Sequence, residues 1–241
     1  MARHGKKYTE AAKLVEADRQ YTVEEASELV KKIAFANFDE TIEIHARLGI
    51  DPRQADQAVR STVTLPHGSG REVRVLVFAA GEAERAALDA GADYAGTDEL
   101  VQKIQEGWLE FDATVAMADQ MGKVGGLGRI LGRRGLMPNP RSGTVVREVE
   151  DLPGVIRGLK GGRVEFRNDR TGNVHIAIGR KSFTEDQIKE NVLAVVDALN
   201  RNKPTGLKGV YCRTLAIATS MSPGIQLDVN DTLAKASNVA V

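Results

Sequence analysis

The sequence predicts a mixed fold in two parts: an α+β outer domain, an open antiparallel sheet with helices of the split β-α-β type, interrupted by an inserted three-layer α/β domain of Rossmann-like kind. Three observations predict it. The segment TIEIHARL, Thr41 to Leu48, alternates strictly between apolar and polar residues, as a half-buried strand does. From Val73 to Ala118 the chain instead runs as compact apolar stretches separated by short helical ones, the texture of a parallel sheet covered on both faces. From Gly161 the alternating texture returns, so the first and last thirds belong together and the middle interrupts them.

Each element has a local reason. Thr22 with Glu25 makes a capping box, and Ala26, Leu29, Val30 and Ile33 follow at helical spacing in a helix that ends near Ala36. In the strand from Thr41, residues Ile42, Ile44, Ala46 and Leu48 line one face, while Thr41, Glu43, His45 and Arg47 line the other. STVTL, Ser61 to Leu65, is a second strand, closed by the breakers Pro66, Gly68 and Gly70. Then come the strand Val73 to Phe78, an Ala-rich helix, ADYAG, a helix that Thr97 is placed to cap, ATVAMA, and a last helical segment reaching about Leu159. RVEFR and NVHIAIG are separated by NDRTG, where Asn168 and Gly172 suit a hairpin turn. Thr184 with Gln187 caps a helix bearing Ile188, Val192, Val195, Val196 and Leu199, and KGVYCRTLAIATS is a long closing strand. The expected division is residues 1–68 with 159–228 as the outer domain, 69–158 as the inserted one, and 229–241, which lacks periodicity, as a disordered tail.

Composition narrows the function. The chain of 241 residues carries 33 basic and 33 acidic side chains, which argues against a wholly basic nucleic-acid coat protein and leaves charge distribution as the signal. A single cysteine, Cys212, excludes an internal disulfide and the common Cys-based zinc sites, and points to a reducing intracellular setting. No apolar run approaches the ~20 residues that span a bilayer, and the basic N-terminus MARHGKKY has no apolar signal core behind it, so the expected location is cytoplasmic.

Charge is concentrated in one place. Between Asp119 and Glu148 there is no acidic residue, yet the stretch holds six Lys or Arg and seven Gly. That is a positive field on flexible backbone, suited to phosphates, or else a solvated loop with no partner. It is not a P-loop, since no Lys-Ser/Thr follows its glycines, and GGLGRILG lacks the dinucleotide-binding spacing. Neither H-E-x-x-H nor G-x-S-x-G occurs, and His4, His45, His67 and His175 are scattered, His45 and His175 reading as polar-face strand residues. No enzyme, cofactor or metal site is legible.

The residues do match a family. LGRILGRRGLMPNP (Leu127 to Pro140), HGKKY (His4 to Tyr8), FDETIEIHARLGIDPR (Phe38 to Arg53), TVTLPHGSG (Thr62 to Gly70), GADYAG (Gly91 to Gly96), GRVEFRNDRTGNVH (Gly162 to His175) and TSMSPG run in order from about His4 to Asp228. Together they closely resemble the bacterial form of the first protein of the large ribosomal subunit, the universal L-one family. The resemblance implies a protein of two domains, the second inserted into the first. It implies binding to the mobile stalk of large-subunit ribosomal RNA beside the site where deacylated tRNA leaves, and repression of the protein's own operon mRNA. The partners implied are that rRNA, the tRNA and the mRNA, with no membrane and a monomer when free of the ribosome. The alternative class is a non-specific RNA chaperone or nucleic-acid-binding module, against which the near-neutral total charge speaks.

The resemblance puts the principal RNA surface on the outer domain, at Phe38, Glu40, Thr41, His45, Arg47, Glu165, Arg167, Ser220, Met221 and Ser222. Phe38 either packs on a ribose or base or caps the local core. Thr41 and Ser220 can bond 2′-hydroxyls, and Arg47 and Arg167 can bind phosphates in a fork that Lys lacks. Glu40 and Glu165 either accept from a 2′-hydroxyl or base amino group or, as the default, hold an arginine in place. Met221 is apolar contact surface or a buried methionine. Lys123, Arg129, Arg133, Arg134 and Arg141 make a secondary phosphate or interdomain contact. Two positions depart from the family pattern. Ser222 stands where a glycine is usual, which puts the local geometry in question, and Arg133 replaces a proline, which makes the glycine-rich loop more flexible and more positive.

Overall fold

The structure, a computed structural model, describes residues 5–54 and 56–239. His4, with the rest of the basic N-terminal tetrapeptide, and residues 240–241 lie outside the described residues. In chain order the elements are α1 (Lys6–Ala12), α2 (Val23–Ile33), β1 (Thr41–Leu48), β2 (Arg60–Thr64), β3 (Val75–Phe78), α3 (Glu82–Asp89), β4 (Tyr94–Gly96), α4 (Asp98–Gln105) and β5 (Ala113–Met117). There follow α5 (Met121–Val124), α6 (Gly128–Arg134), β6 (Val145–Val146), α7 (Leu152–Lys160), β7 (Arg163–Arg167), β8 (Asn173–Arg180), α8 (Glu185–Arg201), β9 (Cys212–Thr219), β10 (Ile225–Leu227) and α9 (Val229–Val239). They build a mixed α/β protein with three sheets. By contact density the chain divides into two compact units, residues 72–163 forming one and the residues before and after them the other.

The first unit is organised by an antiparallel sheet in the order β10-β9-β1-β8. Its inner face carries Ile42, Ile44, Ala46 and Leu48 of β1, Val174, Ile176 and Ile178 of β8, and Leu215 and Ile217 of β9, all buried in one cluster with side chains of α2 and α8. Both helices begin as their sequences dictate, with reciprocal capping boxes at Thr22/Glu25 and Thr184/Gln187. Burying each large aliphatic side chain contributes roughly 1.5–3 kcal/mol, so this cluster is the main source of the unit's stability. Asn191 on α8, itself fully buried, ties the 66–70 turn to the sheet by donating to Gly68 O and Ile178 O and accepting from His67 N.

The second unit is a parallel sheet in the order β4-β3-β5-β6. Alternate residues of β3 enter different cores: Val75 and Val77 join α3 and α7, whereas Leu76 and Phe78 meet Leu100, Ile104, Val124, Leu127 and Leu131. Both faces are therefore apolar, and β3 reads as an unbroken hydrophobic run.

Several expectations are corrected. Residues 229–239 are a helix rather than a disordered tail. Asp228 Oδ1 accepts from the N–H groups of Asn230 and Asp231, and Thr232 and Ala236 are buried, with Val229 and Leu233 packed against the core. Positions 229, 232, 233 and 236 form a helical stripe, but two of them are the small residues Thr and Ala, which weakened the pattern. The NDRTG segment does turn the chain back, Asp169 N donating to Asn173 O beside the antiparallel bridge Asn168–Val174, but the flanking strands then part into different sheets, β7 pairing with β2 and β8 with β1. The strand expected to close the fold is interior, with β10 outside it. Thr97 occupies the cap position of α4, yet its hydroxyl donates to Ala79 O across to the end of β3 rather than serving the helix.

The glycine-rich run is helical, not a flexible loop. Helical turns continue from Met121 to Arg134, and Gly135 ends them in the left-handed conformation with φ of 72°. The anchors are Val124, Leu127 and Leu131, all fully buried. Five glycines within these turns lower helix propensity by about 1 kcal/mol each, and the packing of this apolar stripe overrides that cost.

A candidate nucleic-acid interface on an open sheet

The face of the first unit's sheet that points away from its core is polar. Register brings its side chains into rows: Ala177, Glu43 and Ala218; then His175, His45, Ala216 and Gln226; then Asn173, Arg47 and Thr214. From Thr41 to Arg47 the face runs about 20 Å, and four strands give it a width of about 15 Å. Alanines at 177, 216 and 218 keep the surface low around the taller Glu43, His45 and Arg47.

At one end two loops are clamped together. Ser220 N donates to Thr41 O at 3.1 Å, and Thr41 N donates to Ser220 Oγ at 3.2 Å. In the two segments so joined, Phe38 and Met221 project into solvent, 56% and 52% exposed. They are two of only a few large apolar side chains so exposed among the described residues, which removes the alternatives of a core-capping Phe38 and a buried Met221.

Glu40 is a correction. Its side chain is fully buried and cannot be a contact, nor does it hold an arginine. It accepts instead from Ala36 N at 2.7 Å, from Met221 N at 3.2 Å and from the hydroxyl of Thr219. One carboxyl group thus fixes the segment bearing Phe38 to the segment bearing Met221. Glu165 does follow the ion-pair default, accepting from Arg60 Nε at 2.5 Å across the small β2–β7 sheet. Ser222 needs no unusual backbone, since no non-glycine residue among the described residues has positive φ; its hydroxyl accepts from Thr219 N at 3.0 Å and stiffens the turn.

At the other end a groove of about 700 Å³ is lined by Glu165, Arg167, Asn168, Asp169, Arg170 and His175 among others. Asp169 organises its rim. Hydrogen bonds from Asn173 N first, and from the hydroxyl and N–H of Thr171, hold its carboxyl well below the usual carboxylate range. Arg47 and Arg167 are exposed, as phosphate contacts must be.

His175 was not marked in the sequence beyond its strand position. In the structure its Nδ1 lies 2.7 Å from Nδ1 of His45, with ring centroids 5.0 Å apart at 63°. Burial first, and then His175, lower the His45 pKa from its ordinary 6.5, while Glu43 opposes the shift. Only the strand register makes this pair, and register is not written in either segment alone.

In the second unit Arg129, Arg133, Arg134 and Arg141 are exposed, with no ion pair among the described residues. Lys123 differs, being held by both carboxylate oxygens of Asp98 at 2.7 and 2.9 Å. No group of three or more His, Cys, Asp or Glu able to hold a metal occurs among the described residues, and no described helix is long and apolar enough to cross a membrane.

Comparison with known proteins settles the family. Residues 30–223 match the Ribosomal protein L1p/L10e family. The chain belongs to that family. It is similar to the large ribosomal subunit protein uL1 of Thermomicrobium roseum, 65% identical over 236 residues that cover 98% of each chain. To the protein of the same name from Chloroflexus aggregans it is 55% identical, covering 95% of this chain and 97% of the other. For the one from Thermus thermophilus the identity is 49%, covering 95% and 99%. Members of the L1 family are structural proteins of the ribosome, not enzymes.

Proposed function

We propose that this chain is a constituent of the large ribosomal subunit that binds the mobile stalk of large-subunit rRNA near the tRNA exit site, through the open sheet face of its first unit. On this reading it assists release of deacylated tRNA in the cytoplasmic ribosome and represses its own operon mRNA, which presents the same contacts. The observation that carries the reading is the pairing of Phe38 and Met221, exposed on two clamped loops beside the hydroxyls of Thr41 and Ser220, at the edge of a face bearing His45 and Arg47. Exposed apolar side chains beside hydroxyls suit splayed bases and 2′-hydroxyls, the features by which RNA is recognised. Arg167, in the neighbouring groove, supplies a phosphate fork. The unpaired arginines of the second unit, Arg129, Arg133, Arg134 and Arg141, add a secondary phosphate contact without sequence preference.

Filter binding of the full chain to a stalk transcript and to a scrambled transcript tests the reading. A stalk protein prefers its site by about a thousandfold or more, by analogy with specific DNA binders. Equal affinity for both transcripts, with a salt slope of about 0.7 per phosphate contacted, would mark a non-specific RNA chaperone instead.

A further inference from the structure

The His45–His175 pair has a chemistry that a face for RNA can use. Two imidazole Nδ1 atoms 2.7 Å apart form a hydrogen bond only when one donates and the other accepts, so at least one ring is neutral. Protonating both rings sets two N–H donors against each other. The surroundings do little to relieve this. On its own strand His45 has Glu43, whose Oε2 is 4.0 Å from His45 Nε2, and Arg47 two residues further on. From β9 it faces Thr214, Ala216 and Ala218, and beyond them Gln226 of β10, none of which titrates. On β8 the neighbours in the facing rows are Asn173 and Ala177. The groove beside His175 brings Glu165, Arg167, Asp169 and Arg170, but Glu165 is paired with Arg60 and Asp169 is occupied by its own turn. Glu43 is therefore the one carboxylate turned toward the pair, at the edge of contact, and the remaining charge nearby is positive.

A phosphate reverses that balance. It accepts hydrogen bonds from both rings at once and supplies the negative charge that a doubly protonated pair lacks. We propose that His45 and His175 act as one proton-coupled contact for an RNA phosphate, the pair taking up a proton from solvent as the RNA binds. His175 thereby joins His45 in the interface, and RNA affinity rises as pH falls through the histidine range. The inference rests on the sheet face being the RNA surface.

The test is fluorescence anisotropy of a labelled stalk transcript with the full chain, from pH 5.5 to 8.5 at constant ionic strength, beside calorimetry in buffers of different ionisation enthalpy. The affinity of the natural chain should fall by up to about tenfold per pH unit for each proton linked, and calorimetry should show proton uptake on binding. His45→Gln and His175→Gln keep hydrogen-bonding capacity but do not titrate; each should flatten the profile, abolish the uptake, and bind about tenfold more weakly than the natural chain at pH 6, the gap narrowing at pH 8.5. Circular dichroism melts confirm that both variants fold. A pH slope and proton uptake unchanged in both variants would overturn the proposal while leaving the RNA reading intact, provided the stalk transcript is still preferred over a scrambled one. Loss of that preference in the natural chain at every pH would overturn both.

Discussion

Replacing Glu40 tests whether a buried carboxyl group, rather than a contact, underlies the loop pair that presents Phe38 and Met221. In Glu40→Ala three donors lose their acceptor. The hydroxyl of Thr219, a residue only 6% exposed, is stranded at a cost of about 1–3 kcal/mol. Ala36 N–H, partly buried, adds about 1–2 kcal/mol, and Met221 N–H, which can turn to water, adds less than about 1 kcal/mol. The sum is about 4 kcal/mol, which lowers Tm by about 8–16 °C for a chain of this size. Glu40→Gln should cost less, about 1.5–3 kcal/mol, because one oxygen still accepts from Thr219 and Met221 while the amide opposes Ala36 N–H. Calorimetry and urea unfolding measure the loss, and hydrogen exchange should accelerate at the amides of Ala36 and Met221. If Glu40→Gln left Tm within 2 °C of the natural chain, by about the precision of one lost surface contact, yet abolished stalk RNA binding, the buried-clamp reasoning would be refuted and Glu40 would be a direct contact after all.

Other outcomes follow from the same structure. Phe38→Ala or Met221→Ala, both at exposed sites, should weaken specific stalk RNA binding by roughly tenfold or more while moving Tm by less than about 2 °C; unchanged affinity for both removes them from the interface. Truncation after Asp228 should destabilise the first unit, because it deletes buried Thr232 and Ala236 and the bond from Lys235 to Glu24, and proteolytic sensitivity would report it. Lys235 first, then Lys189, lower the Glu24 pKa to about 2 from 4.5, against an opposing burial effect. A depressed carboxyl pKa stabilises the fold above pH 4.5 and ceases to do so as pH falls toward 2. With the carboxylate substantially exposed, the contribution is only about 1 kcal/mol after screening, so Glu24→Gln should lower Tm by a few degrees at pH 7 and by almost nothing near pH 2. Gly49→Ala would place a Cβ 2.1 Å from the carbonyl oxygen of Val210, and should cost about 1–3 kcal/mol in urea unfolding.

Local rules made much of this molecule legible. Two capping boxes, the period-2 strand at Thr41 and the buried run at Val75 formed where side-chain spacing required them, because each depends on neighbours within a few residues. Where the sequence misled, a distant partner decided. Glycines at 122, 125, 126, 128 and 132 promised a loop, but Val124, Leu127 and Leu131 found a core to fill and held the turns helical. Asp228 and the weak stripe behind it became a helix because α8 offered an apolar surface to cover.

The candidate interface divides the same way. The sequence by itself determined the family, the residue types of the polar strand face and the exclusion of nucleotide and catalytic motifs, since those are properties of composition and spacing. Tertiary structure alone decided that Glu40 lies beneath the surface rather than on it, that the segments presenting exposed Phe38 and Met221, about 180 residues apart, are tied together through it, and that His175 faces His45. The physical reason is register. A strand's own sequence fixes which residues share a face, but which residue of another strand stands opposite is set by pairing and packing of the whole sheet.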